Sequence, residues 1–337
     1  MNLIQPNNHE EKDKEKLITK PPMIIESHLG AIWDYITRKK PDAKNKYFAP
    51  SYSSIVEIME TSLHFARYID KKLFGEREET DAMRFGAAVD NSITRYHFLG
   101  LNKKIPEAQL DVPYLVFHGD KRSNEQKIKY AELQIKAAEL GVPVLSESQA
   151  AKAEEAISSL LNVKMEDDRV LNPAQILVRC AIDTQVALEL KVPNKFNFEG
   201  HVPIIRGIAD VFGRNPNTAK YYVADLKKVP NANPYAVRST VRSRKFAIQL
   251  AIYAEALYQQ GKVPIPITEF YNVVYDDEGN VNIFAFDPND IKKALQDAYK
   301  ACRKIDEIIE SGDPKLLLRS YTNFNNCALY IDNEIYY

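Results

Sequence analysis

From about residue 27 to residue 165 apolar residues recur at spacings of three and four, as in YAELQIKAAEL, which Gly141 closes. That period is one face of an α-helix, and this half of the chain is predicted to form a helical layer. Ahead of it, residues 1–20, with HEEKDKEK at their centre, hold too little apolar material to offset the entropy of ordering. They are predicted to be a disordered charged tail.

Beyond Asn172 the texture changes. QILVRCAI, TQVALELKV, HVPIIRGIADVF and KYYVADLKKV are short, rich in β-branched and aromatic residues, and separated by Asn, Pro and Gly. They are predicted to be successive strands of one sheet. The polar NPNTA segment, Asn215 to Ala219, marks a turn, and Asn233 with Pro234 predicts the start of a long helix ending near Gly261. ITEFYNVVYD and VNIFAFD, on either side of a DDEGN turn, add two strands, and a helix from about Asn289 to Ser311 follows. The expected fold class is α/β, with a mixed central β-sheet flanked by helices and a helical N-terminal layer. The α/β core is placed at about 172–285 and the C-terminal helix and tail at about 289–337. With no internal repeat and no long linker, residues 21–337 are expected to form one domain.

Composition narrows the chemistry. The 45 Lys and Arg nearly balance the 46 Asp and Glu, so any surface that attracts nucleic acid has to be local. The three cysteines, Cys180, Cys302 and Cys327, are too few for a four-cysteine zinc site or an iron-sulfur cluster, and reduced thiols in a cytoplasmic protein are expected. No apolar run approaches the roughly 18 to 20 residues a bilayer requires, and no signal-peptide pattern opens the chain. Neither a membrane partner nor export is expected.

The candidate chemistry lies between Ile204 and Tyr253. Side chains alternate faces along a strand, so in YYVADLKKV Asp225 and Lys227 emerge together while Ala224 and Leu226 turn the other way. A hairpin centred between Asn217 and Thr218 sets Asp210 directly opposite Asp225, with Cβ atoms about 5 Å apart. Carboxylates that close repel unless a proton or a cation relieves them, and hard oxygen ligands suit Mg²⁺ or Mn²⁺. With a phosphodiester as substrate, such a metal polarises the phosphoryl group and acidifies a water, while Lys227 orients that water or offsets developing charge. An isolated DxK triplet is far more often an ordinary exposed ion pair. Here it is followed by the helix FAIQLAIYAEAL, along which Arg242, Lys245, Gln249 and Tyr253 fall at steps of three and four as one polar, basic stripe.

GIADVF, VADLKK and QLAIY together resemble the D, DxK and QxxxY motif series of RecB-type PD-(D/E)XK nucleases, and within them the exodeoxyribonuclease VIII and phage recombination group. RFGAAVDNSI is similar to that family's GxxxH segment, and the resemblance covers roughly Phe85 to Tyr258. It implies a restriction-endonuclease-like fold and a Mg²⁺-dependent exonuclease acting on linear duplex DNA ends. It further implies metal ligation by Asp210, Asp225 and the Leu226 backbone carbonyl, water activation by Lys227, and support from Gln249 and Tyr253. Asp90 stands where the family usually has histidine, and as a hard ligand it is expected to contact the metal. DLKK replaces the usual DxKT or DxKS. Arg238, Arg242, Arg244, Lys245 and Gln249 are expected to meet DNA phosphates. A ring-shaped homo-oligomer and a single-strand annealing recombinase as partner are implied by the family alone.

Alternatives stay open: an endonuclease or single-strand-specific nuclease on the same scaffold, or a DNA-binding protein without turnover. A second acid-x-lysine triplet, Glu189-Leu190-Lys191, has its nearest upstream acid, Asp183, too close for a normal hairpin, and is expected to lie on a solvated strand face. His97, His118 and His201 lack HxH or HxxxH partners and are expected to be structural or surface residues.

Overall fold

The computed structural model describes residues 23–37, 48–75, 80–101, 112–120, 122–164, 171–196, 200–243 and 245–318. The tail expected over residues 1–20, Arg244 and Cys327 lie outside them, as does the Arg242 side chain.

The N-terminal half is helical as its periodicity predicts: α1 (Met23–Thr37), α2 (Tyr52–Glu60), α3 (Ser62–Phe74), α4 (Asp81–Leu101), α5 (Asn124–Leu140) and α6 (Glu147–Asn162). Gly141, at φ 68°, closes α5 in the left-handed conformation that glycine adopts without strain. Two short strands were not anticipated in this half: β1 (Leu115–Phe117) pairs in parallel with β2 (Val144–Ser146).

The second half forms a five-stranded mixed sheet from β3 (Ala181–Lys191), β4 (Ile204–Arg214), β5 (Tyr221–Lys228), β6 (Glu269–Tyr275) and β7 (Val281–Ala285), in that spatial order. Only the β5–β6 pair is parallel. Helices α7 (Pro234–Ser243) and α8 (Phe246–Gln259) make the crossover between these two strands, and α9 (Pro288–Glu310) follows β7. Val186, Leu188, Phe212, Val223 and Phe270 form one face of the sheet, packed under α8 and α9 with α1 to α3. Tyr222, Ala224, Leu226 and Val273 form the other, packed on α4 and α6. The chain is thus a mixed α/β fold with helices on both faces of its sheet.

Two predicted elements are corrected. QILVRCAI does not begin as a strand, because Gln175–Arg179 is a π-helical turn. Asn172 Oδ1 accepts from the Gln175 amide and Gln175 Oε1 accepts from the Asn172 amide, each at 2.9 Å. This reciprocal cap, with Pro173 in the first turn, outweighs the β-propensity of Ile and Val. Tyr222 Oη then donates to the Ile176 carbonyl at 2.6 Å and ties the turn to the sheet.

The long helix after Asn233 is two helices. Lys245 adopts φ 52°, ψ 42°, a left-handed break, and its ammonium pairs with Glu60 at 2.7 Å. α7 buries Val237 in a small cluster with Val229, Ala232 and Val274, whereas α8 packs into the main core. One straight rod cannot serve both, so Arg242 does not share a helix with Gln249 and Tyr253 and the continuous stripe does not exist.

Candidate active site

The β4–β5 hairpin has the register expected from its turn: Arg214 pairs with Tyr221, Gly213 with Tyr222, Phe212 with Val223 and Val211 with Ala224. There the ladder stops. The first half of β4 stays on β3 and bridges at Arg206 to Ser51, while β5 continues along β6, so β4 and β5 separate just before they reach Asp210 and Asp225. Asp210 bridges the gap, its Oδ2 accepting from the Leu226 amide at 2.9 Å.

Asp225 is fully buried. Its Oδ1 accepts from Lys227 Nζ at 2.9 Å and its Oδ2 from Asn272 Nδ2 at 3.0 Å. Asn272 is the parallel-register partner of Asp225 on β6 and is also fully buried. Sequence reasoning missed it; an Asn inside the apolar run FYNVVY was the available signal. Gln249 and Tyr253, one turn apart on α8, are both buried and joined by a 2.7 Å hydrogen bond from Gln249 Nε2 to Tyr253 Oη. Gly207 makes room for that ring, because a Cβ at this position would lie 2.5 Å from Tyr253 Cε1. Next to the pair a cavity of about 860 Å³ opens, lined among others by Tyr52, Arg206, Gly207 and Ile208.

The electrostatics of the centre run in one direction. Burial pushes the Asp225 carboxyl up to about 7; the Lys227 charge opposes this and the adjoining Asp210 carboxylate adds to it. Burial works against the Lys227 ammonium, but the charges of Asp225 and Asp210 outweigh it and raise its proton affinity. Tyr253 is raised by burial and by the same two carboxylates. Asp90 on α4, half-buried, is raised by burial, by Asp210 and by Asp225, against Lys227. All four groups hold protons more tightly than usual, Asp90, Asp225 and Tyr253 chiefly through burial and Lys227 through the carboxylates beside it.

The structure thus brings Asp90, Asp210, Asp225, Lys227, Gln249 and Tyr253 into one region. Arg238 is exposed on α7, and Lys245 is engaged by Glu60. The rival Glu189 lies on β3 opposite Arg206, which it pairs at 2.9 Å on the partly exposed face of the strand. His97 contacts the Val178 carbonyl, His118 pairs with Glu147 and His201 with Glu310, none at this centre.

For the implied divalent cation, no three His, Cys, Asp or Glu side chains among the described residues stand close enough to form a ready-made cluster. The donors nevertheless fit a magnesium-like ion, which keeps several waters and takes only one or two carboxylates. Asp210 and Asp225 adjoin, and the Leu226 carbonyl leaves β5 on the same side as its amide, toward the gap between the strands. No described helix is long and apolar enough to cross a membrane.

No family model matches this chain, and no curated protein matches it. Among solved structures it is similar to a protein named as a candidate exonuclease from Eubacterium rectale, at 16% identity and a TM-score of 0.46, covering 88% of each chain. A second, known only by a locus name, aligns at 13% identity and a TM-score of 0.26 over 82% of this chain and 85% of its own. Function has to be read from the site's own geometry.

Proposed function

We propose that this protein is a divalent-metal-dependent deoxyribonuclease that hydrolyses phosphodiester bonds where β4 and β5 diverge. The observation that carries this is the adjoining pair Asp210 and Asp225, with Lys227 on one carboxylate, at the point where the two central strands separate. Asp210, Asp225 and the Leu226 carbonyl would hold the metal, with Asp90 reaching it from α4. A bound Mg²⁺ or Mn²⁺ supplies Lewis acidity toward the phosphoryl oxygen and lowers the pKa of a water. Lys227 donates to the attacking oxygen or to the charge that develops on phosphate. Gln249 and Tyr253, tied together and backed by Gly207, hold the α8 wall of the site and screen it from bulk water.

The substrate class proposed is linear duplex DNA attacked from an end, leaving a single-stranded tail. A ring of subunits and a single-strand annealing partner belong to the same proposal and rest on the family resemblance.

Linear duplex labelled at the 5′ or the 3′ end, covalently closed duplex and circular single strands, each incubated with Mg²⁺ or EDTA, test this reading. Release of nucleotides from the linear duplex alone, dependent on metal and abolished by Asp225→Ala, is the expected result. Cutting of either circle reassigns the enzyme to endonuclease or single-strand activity. Cleavage that survives Asp225→Ala overturns the site, and chelator-insensitive DNA binding without cleavage overturns the enzyme.

A further inference from the structure

Resting on that reading, we propose that Asn272 is a positioning residue for the metal centre: from the neighbouring strand it fixes the orientation of the Asp225 carboxylate. Three observations carry this. Asn272 is fully buried and sits in register beside Asp225 across the parallel β5–β6 ladder, so the rigid sheet backbone sets the distance between the two side chains. Its Nδ2 donates to Asp225 Oδ2 at 3.0 Å while Lys227 holds Oδ1 at 2.9 Å, so the carboxylate is gripped at both oxygens and its plane cannot turn freely. The third observation is what the Asn does not gain. Its Oδ1 is buried with no hydrogen-bond partner among the described residues.

Packing does not account for such a side chain. The residues two positions away on the same face, Phe270 and Val274, are buried and apolar. A leucine has the same branched skeleton and would pack between them without burying an unpaired acceptor. A buried polar atom left unsatisfied is costly, so its retention calls for a compensating role, and a role at the adjoining site is one such explanation. The Nδ2 donor facing Asp225 is the one interaction that the amide makes and a leucine cannot. Ligating carboxylates are commonly held by outer hydrogen bonds of this kind, and losing one typically weakens metal binding or activity about 10- to 100-fold.

Asn272 and Lys227 hold Asp225 with different freedom. Lys227 Nζ is at the end of a flexible chain and is partly exposed, so it can exchange Asp225 for a phosphate or a water as substrate enters. Asn272 has a short side chain on a central strand. It holds Oδ2 while Oδ1 changes partner.

The test uses the full-length chain with Asn272→Leu, which keeps the branched shape of the side chain, and Asn272→Ala, each checked for folding by circular dichroism and chemical denaturation. Mn²⁺ affinity is measured by calorimetry in the absence of DNA, and cleavage of linear duplex is followed separately. In folded Asn272→Leu, Mn²⁺ affinity is expected to fall about 10- to 100-fold. In an Asp225→Ala background the same substitution is expected to change Mn²⁺ affinity no further, because the carboxylate it orients is gone. Wild-type affinity and wild-type turnover in folded Asn272→Leu overturn the inference and leave the nuclease reading standing. A wild-type chain that neither binds Mn²⁺ nor cuts DNA overturns the nuclease reading, and this inference with it.

Discussion

Asp210 Oδ2 accepts the Leu226 amide at 2.9 Å, just past the last backbone pair of the β4–β5 hairpin, Val211 with Ala224. A side chain therefore extends a ladder that the backbone has abandoned. Without it the Leu226 amide would face the gap unpaired, a cost of about 1 to 3 kcal/mol for a buried donor. The strands can diverge and still leave Asp210 held against Asp225.

The raised Asp225 predicts how the metal-free protein responds to pH. Its folded value of about 7 lies above the ordinary carboxylate range, so the native state keeps a proton that the unfolded chain has already released. The stability this contributes is complete below about pH 4 and is lost as pH rises toward and through about 7. Asp225→Asn, which keeps the shape and cannot ionise, is expected to match the wild type in acid and to exceed it by about 1 to 4 kcal/mol at pH 8 in EDTA. Urea denaturation at pH 4, 6 and 8 measures this. A constant difference across that range would contradict the assignment.

A divalent cation should reverse that penalty. Because it binds the native state and not the unfolded one, saturating Mn²⁺ at about 100 times its dissociation constant adds about 3 kcal/mol of stability. The melting temperature at pH 8 is expected to rise with Mn²⁺ in the wild type and to stay flat in Asp225→Asn and Asp210→Asn. Equal shifts in all three proteins would place the ion elsewhere.

Gly207→Ala sets a Cβ 2.5 Å from Tyr253 Cε1 in a buried contact. Overpacking of this kind costs about 1 to 3 kcal/mol. Stability is expected to return in Gly207→Ala with Tyr253→Leu, while cleavage stays low because the Gln249 to Tyr253 hydrogen bond is gone. Thermal melts and initial rates on the two variants separate packing from activity.

Asp276 anchors the turn between β6 and β7, accepting from the amides of Ala232, Glu278 and Asn280 and from the Asn280 side chain. Burial would raise its carboxyl, but these donors outweigh it and hold the group below its usual value. A lowered value gives stability that is present above the unfolded pKa and disappears as pH falls through the folded one. Asp276→Ala is expected to lose about 2 to 4 kcal/mol at pH 7, and less as pH falls below the ordinary carboxylate value of about 3.9, read from denaturation midpoints.

Arg238 and Lys245 should differ on DNA. Arg238 is exposed, and Arg238→Ala is expected to flatten the dependence of log binding constant on log salt by about 0.9, one phosphate contact. Lys245 is tied to Glu60, so Lys245→Ala should leave the salt slope nearly unchanged and lower stability instead. Fluorescence anisotropy between 50 and 200 mM salt, roughly the span over which counterion release is read, distinguishes them.

Much of the site was legible locally. Alternation along YYVADLKK put Asp225 and Lys227 together, and the NPNTA turn set the hairpin register that leads Asp210 toward Asp225, although the backbone pairing ends one step short of them, at Val211 with Ala224. Gln249 and Tyr253 were legible as one helical turn. The capping pair Asn172 and Gln175 is equally local, but the apolar run that follows it carries the stronger strand signal.

Asn272, the divergence of β4 from β5, the break at Lys245 and the approach of Asp90 were decided by tertiary structure. A hairpin turn dictates its own register, but a parallel pair is brought together by its crossover, and no residue near Asp225 records that Asn272 will lie beside it. Lys245 turns left-handed because α7 and α8 answer to different clusters of buried side chains, a constraint absent from helical periodicity. The pairing of two carboxylates was therefore written in the order of residues, and the surroundings that hold them were set by packing across the fold.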